Sequence, residues 1–151
     1  MPVIHRSALV PLPASALFTI VDDVARYPEF LPWCAGAEVL EQREGELVAE
    51  LELAGRGIRE RFTTRNLRFP HDRIELQLVS GPFRRFVGVW TFTRLGADGL
   101  PGDAGCKVEL ALDFELAGAR ALLGSAFGGI FVKAADRMVD AFCVRARALH
   151  S

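Results

Sequence analysis

Hydrophobic and polar residues alternate over most of the chain, and this period of two predicts β-strands with one buried face. The first such stretch is Val3–Val10. Six more follow in the middle of the chain, each bounded by glycine, proline or aspartate: residues 37–43, 46–54, 57–69, 73–80, 84–95 and 106–116.

Two segments instead show apolar residues at the three- and four-residue spacing of a helix. Pro13 stands where a first helical turn tolerates proline, and it predicts a short helix from there to about Val24. The same spacing from about residue 119 to residue 150 predicts a final helix roughly 45 Å long. The order β-α-β-β-β-β-β-β-α predicts an α+β fold in which one long helix covers an antiparallel sheet.

The link between the first helix and the second strand, residues 27–34, contains two prolines and three aromatic residues. Each proline fixes its own φ and disfavours helical geometry in the residue before it, so Tyr27 and Leu31 are poor continuations of a helix. The result is a stiff apolar corner, with a short extra helix as the other possibility. Such a corner suits a hinge over an apolar interior, and it equally suits a plug that closes an ordinary core.

The hairpin near residue 55 predicts how two strands pair. A two-residue loop of Gly55 and Arg56 suits a type II′ turn and sets Ala54 opposite Gly57. That register predicts three facing pairs of opposite charge: Glu52 with Arg59, Glu50 with Arg61, and Glu46 with Arg65. The arginines are therefore interpreted as a neutralised outer face, with a phosphate-binding stripe as the alternative.

The opposite face of the predicted sheet is a broad apolar wall. One long helix cannot contact every strand of a twisted sheet equally, so a gap between the two layers is expected. Gly124, Gly128 and Gly129 weaken the predicted helix and support that expectation. The alternative is close packing of the helix against the sheet.

Three polar residues of the 57–69 strand, Glu60, Thr64 and Asn66, are predicted to point inward by the same alternation. Buried polar groups need hydrogen-bond partners, which a wet or ligand-filled cavity would supply. A register that is wrong by one residue, or a position at the sheet rim, would also explain them.

Composition narrows the classes of function. A chain of 151 residues suits one domain, and a net charge of -1 with 25% charged residues gives no overall field that would attract nucleic acid, DNA included, or an anionic membrane. No apolar run reaches the length of a membrane span, and three widely spaced cysteines predict reduced thiols. We expect a cytoplasmic protein, with the surface of the inner membrane as a further possible location.

Catalytic and metal-binding patterns are absent from the sequence. His5, His71 and His150 lack metal-ligand spacing, and no nucleophile elbow, phosphate loop or dinucleotide fingerprint occurs. Cys34 has no neighbouring histidine or lysine in the sequence and is interpreted as a small buried hydrophobe. We therefore expect no catalytic residues, no metal and no cofactor.

Three motifs resemble one known family. They are Tyr-Pro-Glu-Phe-Leu-Pro-Trp-Cys at 27–34, Gly-Pro-Phe at 81–83 followed by Gly-Val-Trp-Thr-Phe at 88–92, and Met-Val-Asp-Ala-Phe at 138–142. Together with the order of elements, they are similar to the ubiquinone-binding, RatA-like family of START-related polyketide cyclase and lipid-transport proteins. The likeness spans nearly the whole chain and implies the helix-grip fold.

The resemblance implies non-catalytic binding or transport of ubiquinone or another lipid between sheet and helix, in support of respiratory-chain components. The predicted ligand-binding residues are apolar side chains of sheet and helix, a tryptophan at the mouth, and three polar residues for a head group: Phe62, Trp90, Phe92, Phe114, Phe127, Ile130, Phe131, Trp33, Glu60, Thr64 and Asn66.

Two alternative functions come from the same resemblance. Bacterial relatives of this type are described as ribosome-associated toxins that block subunit joining, which would require a basic surface. Arg84, Arg85, Arg145 and Arg147 are the candidates for that surface, although the net charge and the paired arginines count against it. Polyketide cyclases and aromatases share the fold, but they need an acid-base pocket, and this interior is predicted to be too apolar.

Overall fold

Seven strands and three helical segments make up the computed structural model, which describes residues 3–55, 57–96, 104–118 and 126–150. The elements in chain order are β1 (Val3–Val10), α1 (Ala14–Asp22), a 3-10 helix (Val24–Glu29), β2 (Cys34–Arg43), β3 (Glu46–Gly55), β4 (Ile58–Phe69), β5 (Arg73–Ser80), β6 (Phe83–Leu95), β7 (Gly105–Leu116) and α2 (Ala126–Leu149). The predicted α+β order is confirmed.

The strands form one antiparallel sheet in the order β1-β7-β6-β5-β4-β3-β2. On the same face of the sheet, α2 packs against β1 and β7 toward one edge and against β3 and β4 toward the other edge. Because β5 and β6 lie between these two pairs, the sheet must curve around α2. This is the helix-grip arrangement that the order of elements predicts.

The corner after α1 is partly helical. Tyr27 and Pro28 belong to the 3-10 helix, which is the short extra helix that the sequence left open at this corner. The backbone N–H groups of Phe30 and Leu31 both donate to the Tyr27 carbonyl, at 3.2 and 3.0 Å, so the proline leaves this turn intact. The Tyr27 and Phe30 rings then pack on Phe142 of α2, which fixes the corner to the long helix.

The β3–β4 hairpin differs from the predicted register by two residues. Gly55 pairs with Ile58, and Gly57 has a φ of 78°, which glycine adopts without strain. A shift of two leaves every side chain on its predicted face. The three ion pairs still form, now diagonally across the strands: Arg59–Glu52 at 3.0 Å, Arg61–Glu50 at 3.8 Å and Arg65–Glu46 at 2.6 Å.

Arg68 of β4 joins three parts of the fold. Its guanidinium donates to the Asp22 carboxylate at the end of α1 at 3.1 Å and to the Arg43 carbonyl at the end of β2 at 2.7 Å. Both side chains of the ion pair are largely buried, and desolvation raises the pKa of Asp22 despite the opposing effect of Arg68. The pair therefore ties α1 to the β2–β3 hairpin.

α2 has 24 residues and is about 36 Å long. Of the glycines taken as signs of a gap, Gly129 is exposed, with nothing within 4 Å of an added Cβ, and it faces away from the sheet. It therefore says nothing about the interior. Gly124 and the predicted helical residues 119–125 lie outside the described residues.

Candidate functional site

A cavity lies between the sheet and the middle of α2. Its walls come from the corner, the inner faces of β3 to β7 and one side of α2: Val24, Tyr27, Trp33, Ala49, Leu51, Leu53, Phe62, Thr64, Asn66, Leu76, Phe86, Trp90, Leu110, Leu112, Phe131, Ala134, Ala135 and Met138. Nearly all of these side chains are apolar.

Side-chain size along α2 places the cavity. The inward positions near the start of the helix are Phe127 and Phe131, and Phe142 is buried further on. Between them the helix presents Ala134, Ala135 and Met138 to the sheet. The two alanine side chains are short, and the cavity lies between them and the inner faces of β3 to β7.

The aromatic cluster beside the cavity is filled. Phe131 lies at its centre and meets rings from β4, β6, β7 and its own helix: Phe62, Phe83, Phe86, Phe114 and Phe127, with ring centroids 4.7 Å from Phe114 and 5.0 Å from Phe83. Among the described residues at that end of α2, these rings fill the space between helix and sheet.

Gly81 shapes the turn that delivers Phe83 to the cluster. Its φ is 147°, and a Cβ added there would lie 2.5 Å from the Cβ of Phe62. A side chain at position 81 would therefore be both strained and overlapping. This explains physically why glycine opens the Gly-Pro-Phe motif.

Thr64 and Asn66 form the polar part of the cavity wall. The Thr64 hydroxyl donates to Asn66 Oδ1 at 2.8 Å, and both residues are buried. The strand is irregular at this point, since the pairing with β5 shifts between Thr63 and Thr64. Each group thus satisfies part of the other's hydrogen-bonding capacity, while the Asn66 amide N–H groups can donate to a water or a ligand oxygen.

Tyr27 contributes a third polar atom near the cavity, but it is already engaged. Its hydroxyl donates to the Val21 carbonyl, and burial raises its pKa, with Asp22 adding to the effect. The phenol therefore stays protonated and serves as a structural hydrogen bond. It is also the one titratable group among the lining residues, so the wall lacks an acid-base pair.

The cavity is small in this conformation. The volume that water centres can occupy is about 60 Å³. One water needs roughly 10–15 Å³ of such volume. It therefore holds a few waters or a small apolar group. A long hydrocarbon chain requires α2 or the corner to move outward.

The structure brings six of the predicted ligand-binding residues to the cavity: Trp33, Phe62, Thr64, Asn66, Trp90 and Phe131. It places five elsewhere. Phe114 and Phe127 lie in the aromatic cluster, and Phe92 packs between Trp90 and Phe18 of α1. Ile130 covers Gly55 at the end of β3, and half-buried Glu60 lies on β4 opposite Leu53, outside the lining.

Sequence reasoning missed the α2 residues that create the space. Ala134, Ala135 and Met138 lie at the same helical spacing as the predicted core residues, but a small side chain gives no signal of facing a cavity. Five leucines of the sheet point inward, as the alternation of their strands predicts, and line the cavity: Leu51, Leu53, Leu76, Leu110 and Leu112.

The cysteines are buried thiols. Cys34, Cys106 and Cys143 are free, and burial raises the pKa of both Cys34 and Cys106 to about 11. A thiolate at neutral pH is disfavoured at these positions. Within the described ranges, His, Cys, Asp and Glu form no group of three suited to a metal ion.

The surface arginines proposed from sequence for ribosome contact are mostly paired. Arg84 contacts Glu115 at 3.0 Å, Arg85 pairs with Asp113, and Arg145 contacts Glu29 at 2.7 Å. Arg147 is exposed on α2. In the described part of the chain, no helix is both long enough and apolar enough to cross a bilayer.

Comparison with known proteins identifies a family and several relatives of this chain. Residues 10–143 match the family model described as polyketide cyclase / dehydrase and lipid transport. The chain belongs to this family. The ribosome association toxin RatA of Pseudomonas aeruginosa is 48% identical over 147 residues, which cover 97% of this chain and 96% of that protein. A more distant relative is the mitochondrial coenzyme Q-binding protein COQ10 homolog B of Xenopus laevis, 30% identical over 128 residues, which cover 83% of this chain and 50% of that protein.

Solved structures of the family's fold support the architecture. TTHA0849 from Thermus thermophilus superposes with a TM-score of 0.81 over 99% of this chain and 100% of its own, at 19% identity. A START superfamily protein from Mycobacterium smegmatis gives 0.75 over 97% and 98%, at 18% identity. At this identity they establish the START, or helix-grip, fold alone.

Proposed function

We propose that this protein associates with the ribosome and acts there by binding, in the cytoplasm. The similarity to RatA carries the proposal, because 48% identity extends over nearly the full length of both chains. The sequence favours carriage of a quinone first and ribosome association second. The comparisons reverse that order, since the coenzyme Q-binding relative is more distant and shares only half its length with this chain.

The interior supports binding over catalysis. The lining of the cavity contains one titratable side chain, Tyr27, and its raised pKa keeps it protonated. General acid-base chemistry needs groups that change protonation near the working pH. We therefore propose a non-catalytic protein, in contrast to the cyclases and aromatases that share its fold.

Co-sedimentation tests the ribosome proposal. Purified protein is centrifuged through a sucrose cushion with bacterial ribosomes, and separately with each subunit, at salt concentrations from about 50 to 200 mM. We expect the protein in the pellet at low salt, with recovery falling as salt rises. A tube without ribosomes corrects for self-association, and protein that stays in the supernatant at every salt concentration contradicts the proposal.

A second candidate function, binding of an apolar ligand, is favoured by the cavity itself. Its wall combines aromatic and aliphatic side chains with the Thr64–Asn66 pair, the composition of a pocket for an apolar molecule with one polar end. Its volume favours insertion of a small group or a chain end over an entire isoprenoid quinone. The two candidates are compatible, since one uses the interior and the other the surface.

Organic extraction tests this second candidate. Protein purified without detergent is extracted and the extract is analysed by mass spectrometry, with Ala135→Leu as the matched control because leucine fills the space. We expect a lipid or quinone at near-stoichiometric amount in the parent protein and a marked loss in the variant. Equal recovery from both proteins would assign the lipid to the surface.

A further inference from the structure

The basic side chains in the described part of the protein fall into two groups. Most of those on the sheet are neutralised: Arg59, Arg61 and Arg65 by glutamates of β3, and Arg84 and Arg85 by carboxylates of β7. Such pairs present little net charge to a partner, and breaking them to bind phosphate would cost the existing contact. The net charge of -1 thus hides an uneven distribution.

The exposed side of α2 carries cations of the other group. Lys133, Arg137 and Arg147 are exposed, and none has a carboxylate oxygen of a described residue within 4.0 Å. Arg43, at the end of β2, is a further described arginine without such a partner.

Helix geometry puts the three α2 cations on one side of the helix. At about 100° and 1.5 Å per residue, they fall within an arc of roughly 80° and span about 21 Å along the helix. Exposed Val144 lies inside the same arc. We call this surface, defined by Lys133, Arg137, Val144 and Arg147, the basic face of α2.

The anions nearby do not cancel this charge. Asp136, at the edge of the face, is engaged by Arg6 of β1. Asp140 lies within the arc and is exposed. Among the described residues of this face, three cations stand against one carboxylate that has no cationic partner. The face therefore carries a surplus of two positive charges.

We propose that the basic face of α2 is the surface that contacts the phosphate backbone of ribosomal RNA. The inference rests on the proposed association with the ribosome and names the part of the protein that makes it. Lysine and arginine side chains that lack protein partners release counterions when they meet phosphates, which gives sequence-independent and salt-sensitive binding. A spacing of about 21 Å allows several phosphates of one strand to be contacted together.

RNA fits this face better than an anionic membrane does. Helices that lie on membranes carry large apolar or aromatic side chains beside the basic ones, and these enter the bilayer. The basic face has a single valine. The aromatic residues of α2 are buried against the sheet: Phe127, Phe131 and Phe142. Electrostatic contact with a backbone needs no insertion.

The test uses a triple variant, Lys133→Ala with Arg137→Ala and Arg147→Ala, in ribosome co-sedimentation over the same salt series. Each lost phosphate contact should reduce the slope of log affinity against log salt by about 0.7 to 0.9, so three contacts correspond to roughly a 20- to 40-fold part of the affinity loss between 50 and 200 mM salt. We expect the triple variant to bind more weakly and with the shallower slope.

Two controls separate position from charge. Arg59→Ala removes an exposed cation of the sheet and leaves Glu52 in contact with Arg61, and Arg43→Ala removes an unpartnered cation that is not on α2. Both should keep the parent affinity and slope. Urea denaturation of each variant confirms that it is folded, because all five positions are exposed.

The outcomes are distinct. If the parent protein does not bind ribosomes, the proposed function fails. If it binds and the triple variant binds equally well, the function stands and the basic face is not its surface. Weaker binding with an unchanged slope indicates a ribosomal protein as the contact, and parent binding to phosphatidylserine/phosphatidylcholine vesicles but not to ribosomes indicates a membrane. Either result overturns the assignment to RNA.

Discussion

The two ends of the interface between α2 and the sheet are built from the same fold but differ in packing. At the aromatic cluster, Phe131 interdigitates with rings from three strands. About one turn further along the helix, Ala134 and Ala135 face the sheet across an open space. The sheet contributes mostly apolar side chains to both regions, whereas α2 changes from phenylalanine to alanine between them. Whether this fold encloses a core or a cavity is decided by a few side chains on one helix.

Truncation at the filled end should have the largest effect. Phe131→Ala removes the central ring of the aromatic cluster, and large-to-small changes of this kind cost about 3–5 kcal/mol. We expect a loss of that size in the free energy of unfolding, measured by urea denaturation. A loss below about 1 kcal/mol would mean that this end is as open as the other.

Larger side chains on the inner side of α2 should distinguish a packed position from a position that faces the cavity. Ala146→Leu overpacks a fully buried position outside the cavity, which typically costs about 1–3 kcal/mol. Ala135→Leu points into the cavity, so we expect a change below about 1 kcal/mol in either direction. Paired urea titrations measure the difference, and equal costs for the two variants would show that position 135 has no space.

Loss of the polar pair should have a smaller effect. Thr64→Val keeps the shape but leaves Asn66 Oδ1 without the donor it now has, and an unmade buried hydrogen bond costs about 1–3 kcal/mol. We expect the low end of this range, because water in the cavity can replace the hydroxyl. A cost near 3 kcal/mol would show that no water reaches the site. Thr19→Val, an exposed threonine of α1, is the control.

Alkaline pH should weaken the fold slightly. Burial raises the pKa of Cys34, beside Trp33, and of Cys106 to about 11 from the ordinary thiol value of 9.0. A pKa raised on folding contributes stability that is complete below the unfolded pKa and is lost as the pH rises through the folded one. We expect stability to fall between about pH 9 and 11. The fall should shrink in Cys34→Ala and in Cys106→Ala, as followed by thermal unfolding.

The faces of the sheet could be predicted from the sequence because alternation survives an error in register. The predicted β3–β4 pairing is wrong by two residues, yet Phe62, Thr64 and Asn66 point inward as predicted. Glycine at both 55 and 57 made two loops possible, and only the backbone conformation distinguishes them. The ion pairs were predicted correctly because long side chains reach diagonal partners as well as direct ones.

The walls of the cavity could be predicted only in part. Inward orientation is a local property of strand and helix period, and it identified Trp90 and Phe131. Whether an inward side chain faces a void or another side chain depends on where α2 lies over the sheet. Phe92, Phe114 and Phe127 point inward and meet other rings, while the two alanines that make the space have no distinctive pattern in the sequence.

Ala135 stands on the opposite side of α2 from Lys133 and Arg137, and Ala134 lies between these two sides. This arrangement bears on how such a protein can diverge. Alanine codons become valine codons by one base change, so the interior volume can shrink or be restored in single mutational steps. None of those steps alters the cations on the outer side. Selection for what the protein encloses and selection for what it touches can therefore proceed on the same helix without interfering with each other.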